Sequence, residues 1–354
     1  MFQSLGKYVK AEKYLKKALS ITKKIGDKRG EACCNGNLGT VYNSLSQYSK
    51  AQEHLEKALA LRSEAGDKHG EASDYGNLGN LFLSLGKPAM AEEYLQKALA
   101  IRKDTGDRRG EAADYGSLGT LFTSLGKYIM AKEYLEKALA IRIEVGDRPG
   151  EATDYGNMGN VFLRLGDYIK AKEFIEKALA IRKEIGERQG EAADYGNLGY
   201  VFQSLGKLRK AREYYEKALA IMVEIGDRRG EASCFCNLAT VFQSLGEYVK
   251  AKGYLEKALM INVEIGDRNA EATNYGNMGT AFRSLGEYRK AEEYHMKALA
   301  IKKEIGDRQG EASCYGNLVT VYFSTCEYIK AKEFTEKSLS IRVEIGDRQG
   351  EAAD

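Results

Sequence analysis

From Glu71 to Leu85, the apolar residues Tyr75, Leu78, Leu81, Phe82 and Leu85 recur at intervals of three and four, which puts them on one face of a helix. From Tyr128 to Val145 the same intervals govern Ala131, Tyr134, Leu135, Ala138 and Leu139. Two such stripes divided by a short polar break predict a helical hairpin, and the hairpin recurs along the chain. A Gly-Asp pair, once Gly-Glu, marks Gly26, Gly66, Gly106, Gly146, Gly186, Gly226, Gly266, Gly306 and Gly346, each 40 residues after the last. The pattern predicts one all-α array: a partial repeat over 1–26, full repeats over 27–66, 67–106, 107–146, 147–186, 187–226, 227–266, 267–306 and 307–346, and a partial repeat over 347–354.

The punctuation between stripes agrees with that register. Gly66 and its equivalents stand where a helix C-terminus needs positive φ, and the Asp that follows is placed to cap the next helix. Pro88 falls at the start of a second helix and Pro149 in the first turn of a first helix, where a missing N–H costs little.

The spacing Tyr75-x2-Leu78-Gly79-x2-Phe82, then Ala91-x3-Leu95 and Ala98-Leu99, resembles the tetratricopeptide repeat (TPR) signature, with Tyr in place of the usual Trp. The alanine stands at all nine places: Ala11, Ala51, Ala91, Ala131, Ala171, Ala211, Ala251, Ala291 and Ala331. HEAT and armadillo repeats have a similar period but would not be expected to reproduce this pattern. One departure lies where TPR units usually carry proline. There the second helix runs on through an apolar position, Val145 or Ile185 for example, and lengthens the unit. This form, with its Asn-Leu-Gly core and Gly-Asp-Arg-x-Gly-Glu junction, resembles the repeats of the LGN/Pins cell-polarity scaffolds and the long TPR arrays joined to caspase-like CHAT domains. The resemblance implies a right-handed superhelix of antiparallel helix pairs, an α-solenoid. Phe2 to Gly6 matches Phe202 to Gly206, Glu351 to Asp354 opens a helix that does not continue, and no polar capping repeat is visible at either end. The chain is therefore expected to be a fragment of a longer array.

Composition narrows the function. Lys and Arg total 54 against 51 for Asp and Glu, with the signs interleaved, so no nucleic-acid partner is expected. No stretch reaches the roughly 18 apolar residues of a membrane span, and the N-terminus is unlike a signal peptide, so a cytoplasmic chain is expected. Six cysteines without a regular framework and three histidines in different repeats suggest reduced hydrophobes, with no disulfide, metal or cofactor site. Gly119 and Gly126-Lys127 have six intervening residues where a phosphate loop needs four, and no catalytic constellation emerges. The exceptions to the repeat, Asn35, Cys236, Val319 and Cys326, make no mechanism.

In TPR proteins the first helices line a concave groove, and the resemblance places the groove positions away from the Tyr-Leu-Phe stripe. There the chain carries Asn37, Asn77, Asn157, Asn197, Asn237, Asn277 and Asn317, with Ser117 as the interruption. A ladder of amides offers donors and acceptors to the unpaired backbone of an extended peptide. The glycines beside them serve either close helix packing or ligand access. The position four residues earlier, where a carboxylate-clamping lysine or an arginine stands in two kinds of relative, holds small residues from Cys33 to Ser313. Variable positions would set selectivity: Asn80, Asn160 and Tyr200 in one row, and Leu83, Leu163, Arg283 and Phe323 in another, with Arg164 beside it. The leading function is a protein-protein interaction scaffold that binds an extended peptide or helix of a partner, in signalling or cell polarity. The alternatives are a regulatory sensor array of a larger protein such as a CHAT-type protease, and a mechanical spacer. Exchanging Arg164 and Arg283 for Glu is expected to reverse the charge preference of selected peptides; unchanged selection in a displayed-peptide screen would refute the anchor role.

Overall fold

The computed structural model describes residues 2–347 and Gly350, with side chains from Tyr8 onward. Every regular element among the described residues is an α-helix. The first helices of the pairs, called A, are α2 (Lys28–Ser44), α4 (Lys68–Ser84), α6 (Arg108–Ser124), α8 (Arg148–Arg164), α10 (Arg188–Ser204), α12 (Arg228–Ser244), α14 (Arg268–Ser284) and α16 (Arg308–Ser324). The second helices, called B, are α3 (Tyr48–Glu64), α5 (Pro88–Thr105), α7 (Tyr128–Glu144), α9 (Tyr168–Ile185), α11 (Leu208–Ile225), α13 (Tyr248–Ile265), α15 (Tyr288–Glu304) and α17 (Tyr328–Ile345), preceded by α1 (Phe2–Ile25). The chain divides into two compact units, Met1–Asp194 and Tyr195–Asp354.

The junctions follow from backbone chemistry. Gly106 ends α5 at φ +70°, and Asp107 then accepts the Gly110 N–H at 3.0 Å, so one residue stops a helix and the next starts another. Inside each pair Gly86 and its equivalents take a second positive φ; Ser46 and Cys326 hold that conformation at two turns without glycine's freedom. Pro88 is the first residue of α5, where its missing N–H is no loss.

The two helices of a pair meet on a glycine. A Cβ built on Gly79 would lie 2.6 Å from Leu95 Cγ and 3.3 Å from the Ala91 carbonyl oxygen, so the bare backbone of α4 is the seat for the Leu95 side chain of α5. Leu95, Ala91, Leu78 and Leu81 are fully buried around that contact. Later repeats vary the occupant over a retained glycine, and in one repeat the seat and the occupant change together. Tyr215 fills it opposite Gly199 and His295 opposite Gly279; Val319 stands there when the facing residue is the small Thr335. His295 is buried, which pushes its pKa down to about 4, with the charge of Arg283 acting in the same direction, so the ring is neutral near pH 7. Away from the seat Phe82 stacks on Tyr94 at 5.3 Å, and Lys97 lies 5.4 Å from the Tyr94 ring centre. Tyr75 lies against the same Tyr94 ring at 6.0 Å, and in the first full repeat Asn35 takes the place of Tyr75 and hydrogen-bonds His54, at the place of Tyr94, at 2.8 Å.

One expectation fails. The match of Phe2–Gly6 to an A-helix end predicts a turn at Gly6, but α1 runs unbroken from Phe2 to Ile25.

Gly79→Val is expected to cost about 2 kcal/mol by overpacking Leu95. Combining it with Leu95→Thr, the pairing seen at Val319 and Thr335, should recover part of the loss, giving a coupling above about 1 kcal/mol in a double-mutant cycle. Urea unfolding followed by circular dichroism measures both; a Gly79→Val chain as stable as the parent would contradict the close approach.

Candidate protein-binding face

Each A helix turns a stripe of four positions outward, and these stripes are nearly free of charge. In α4 they are Ser73, Asn77, Asn80 and Ser84; in α16 they are Ser313, Asn317, Thr320 and Ser324. Arg164 is the one charged residue in these rows and Tyr200, half exposed, the one aromatic. The hydroxyls fold back on their own helix: Ser84 donates to the Asn80 carbonyl at 3.1 Å, Thr120 to Gly116 at 3.1 Å and Ser324 to Thr320 at 2.8 Å. They therefore present acceptor lone pairs outward. The side-chain amides of Asn37, Asn77, Asn157, Asn197, Asn237, Asn277 and Asn317 make no hydrogen bond among the described residues. Asn37 is exposed and the other six are half-buried, each with an amide available to a ligand.

The other sequence-selected positions separate into two groups. Asn80, Asn160, Tyr200, Arg164 and Phe323 are exposed, whereas Leu83, Leu163 and Arg283 are half-buried. Their row lies toward the next A helix: Gln203 reaches Thr240 at 3.4 Å and Gln243 the Asn277 carbonyl at 3.3 Å. An open cleft of about 810 Å³ between α16 and α17 gathers Asn317, Thr320 and Phe323 with Tyr328, Lys332 and Arg342. Leu83 instead lines a smaller cleft at the turns between α4 and α5 and at the end of α6.

Beneath the face lies a row of ion pairs that the sequence reading missed. In the first unit Arg62, Arg102, Arg142 and Arg182, near the ends of B helices, meet Asp74, Asp114, Asp154 and Asp194 of the following A helices, with N···O separations of 3.3, 3.0, 2.7 and 2.6 Å. All four aspartates are buried. Arg102 also donates to the Gly110 carbonyl at 2.5 Å. A Cβ at Gly110 would sit 2.6 Å from Arg102 Cδ, which is why the junction needs glycine there. Ala270 occurs in its place where the B helix carries the shorter Asn262. The glycine of Gly76-Asn77 also faces the pair: a Cβ on it would lie 3.2 Å from Asp114 Oδ1. Close packing against the aspartate is thus what Gly36, Gly76 and Gly116 provide, whereas at Gly156 a Cβ would make only ordinary contacts. Burial pushes the Asp114 carboxyl up to about 7, with Arg102 drawing it only partly back, and its Oδ2 has no hydrogen-bond partner.

In the second unit the same places hold Met222 with Cys234, Asn262 with Asn274 and Lys302 with Cys314. Both members change together. Cys236, which replaces the glycine, hydrogen-bonds Asn274 at 2.7 Å. The signal was readable in one dimension, because an Arg twelve residues before an Asp persists through four repeats, gives way at 222/234, 262/274 and 302/314, and returns in the sequence as Arg342 and Asp354. All six cysteines are free thiols. Burial pushes Cys234 up to about 12 and Cys314 to about 11, so neither is a thiolate at neutral pH. Among the described residues no group of three or more His, Cys, Asp or Glu could hold a metal ion, and no helix is long and apolar enough to cross a membrane.

Antiparallel helix pairs in a fixed repeat, with one polar face per A helix, define an α-helical repeat protein. The tetratricopeptide repeat model matches residues 1–64, 35–104, 111–184, 191–262 and 270–342, and the chain belongs to that family. Membership supports a role in protein-protein interaction. Solved structures share the fold. The signal transduction ATPase PH0952 from Pyrococcus horikoshii, which has a tetratricopeptide repeat sensor, aligns with a TM-score of 0.71 at 18% identity over 98% of this chain and 54% of that one, so the chain spans about half of its length. Aspartyl phosphate phosphatase F from Bacillus subtilis aligns at 0.66 with 14% identity, over 96% of this chain and 93% of that one. The apo form of RapI aligns at 0.62 with 19% identity, over 78% and 99%. No curated protein matches the sequence.

Arg102→Met is expected to cost about 3 kcal/mol by leaving Asp114 buried without its cation. Adding Asp114→Cys, the combination found at Met222 and Cys234, should restore most of it. The folded pKa of Asp114 stands above its unfolded value, so its contribution is present below pH 3.8 and lost as the pH rises through about 7. Urea midpoints across that range should therefore fall for the parent and fall less for the double variant; parallel slopes would overturn the assignment.

Proposed function

We propose that the chain is an adaptor that holds an extended or helical segment of a partner protein against the outward face of its A helices. The observation that carries this reading is the row of asparagines at one register whose amides are left unpaired while the neighbouring hydroxyls are satisfied internally. An amide pairs with a peptide backbone through both a donor and an acceptor, which suits a ligand read by its main chain. The small uncharged residues four positions before each asparagine favour an uncharged partner segment over an acidic tail, and Arg164, Arg283, Leu83, Leu163 and Phe323 adjust the choice locally. Micromolar affinity, about −8 kcal/mol, is the expected scale. The resemblance to polarity scaffolds supports a cytoplasmic signalling role without catalysis of its own.

A second reading makes the repeats the sensor array of a larger protein, the CHAT-type proteases being one such architecture. It draws support from the alignment of nearly the whole chain with the sensor-bearing PH0952, which shares the fold.

A displayed-peptide screen compares the parent chain with Asn237→Ala/Asn277→Ala. Peptides enriched by the parent should be lost by the variant, with affinity reduced at least about tenfold for two lost backbone hydrogen-bonding amides. Enrichment that survives in a variant shown folded by circular dichroism rejects the asparagine row as the binding site.

A further inference from the structure

We propose that the turn edge of the first unit, between the α4–α5 and α6–α7 hairpins, is a second docking surface, and that it takes an apolar side chain flanked by acidic residues on a partner polypeptide. The surface shares Leu83 with the edge of the asparagine row but is otherwise separate from it, and no asparagine of that row lines it. Its centre is a cleft of about 180 Å³ lined by Leu83, Pro88, Leu121 and Leu125, with Lys87 and Ser124 at its rim. A cavity of about 150 Å³ is known to accommodate benzene, so this one has room for a single aliphatic or aromatic side chain. Around it the turns expose Leu125 at 39%, Ile129 at 77%, and Met90 and Met130 each at 38%. The equivalent turn positions Ile169, Val249 and Ile329 are exposed as well, so what sets this edge apart is the cleft with the two methionines near it.

The charge around the cleft identifies the occupant. In later repeats the third residue of the B helix is a lysine that lies over the A-helix ring and pairs with a turn carboxylate: Lys250 with Glu247, Lys290 with Glu287 and Lys330 with Glu327. In these two repeats that lysine is replaced by Met90 and Met130. The cation over the ring comes instead from the turn, Lys87 at 5.9 Å from the Phe82 ring centre and Lys127 at 5.7 Å from that of Phe122. Neither Lys87 nor Lys127 makes an ion pair among the described residues. The edge therefore keeps two exposed cations beside an apolar cleft and has dispensed with its own carboxylates, and a partner's acidic residues complete the pairs. A cleft cut for one side chain, with only two cations, favours a polypeptide over an anionic lipid surface.

The probe is a fluorescein-labelled Gly-Ser peptide carrying one Leu between pairs of Glu, titrated into the full chain by anisotropy, with leucine methyl NMR locating the contact. Binding with a dissociation constant on the order of 100 μM is expected, with shifts confined to the Leu83 and Leu125 methyls and their neighbours. A peptide with Lys for Glu, or Ser for Leu, should bind at least about tenfold more weakly, as should Lys87→Glu/Lys127→Glu and Leu125→Glu chains that keep the parent circular dichroism. Reversal of the two exposed lysines tests the charge separately from the cleft, so the test does not rest on Leu125 alone. Unmoved Leu83 and Leu125 methyls at millimolar peptide would overturn the proposal. So would equal binding of the lysine-flanked peptide, preferential sedimentation with phosphatidylserine vesicles, or shifts that follow protein concentration without peptide, which would make the occupant a second copy. Loss of asparagine-row binding in Asn237→Ala/Asn277→Ala leaves this outcome independent.

Discussion

Most helix pairs in this chain depend on the approach of two helices across a residue with no side chain, Ala239 and Val319 being the two exceptions. Gly79 weakens its own helix by about 0.5–1 kcal/mol relative to alanine, but it lets Leu95 reach the backbone of the neighbouring helix and removes that side chain wholly from water. The gain from burying a leucine, about 1.5–3 kcal/mol, exceeds the loss. It also fixes rotation: with the glycine turned toward the B helix, the residues two positions earlier and one position later must turn away. Asn77 and Asn80 face outward for the same reason that Leu78 and Leu81 face inward.

Charge is distributed in an unusual order by that rotation. The outward rows of the A helices are mostly amides and hydroxyls, and the most buried ion pairs of the first unit are beneath them, between one B helix and the next A helix. A buried pair of this kind contributes little net stability, because desolvation offsets most of the attraction. Its effect is on matching: a guanidinium that also binds the Gly110 carbonyl accepts a following helix only if that helix brings both the glycine and the aspartate.

The helices, their caps and the outward asparagine row were legible because each is a local pattern. Gly106 followed by Asp107 specifies a stop and a start whatever surrounds them, and three-four spacing is enough to separate Leu78 from Asn77. The interface pairs were not read, because Asp114 on its own helix looks like any polar residue and becomes buried only when the preceding repeat lies over it. The turn edge escaped for a related reason: Met90 and Met130 are unremarkable in composition and acquire meaning only against the lysine that other repeats place there. The continuous α1 was missed because the pattern assigns a turn to Gly6 without asking what the turn would fold against.

Arrays of near-identical repeats gain and lose units by unequal exchange, and the interface pairs decide which exchanges fold. Removing the 40 residues 107–146 would set Arg102 beside Asp154 and leave every pair in the first unit matched. Removing 187–226 would set Arg182 against Cys234, leaving its guanidinium the turn carboxylate of Asp227 but no buried aspartate. The first unit is therefore free to change length by whole repeats, whereas the second, with a different chemistry at each junction, has its order written into it.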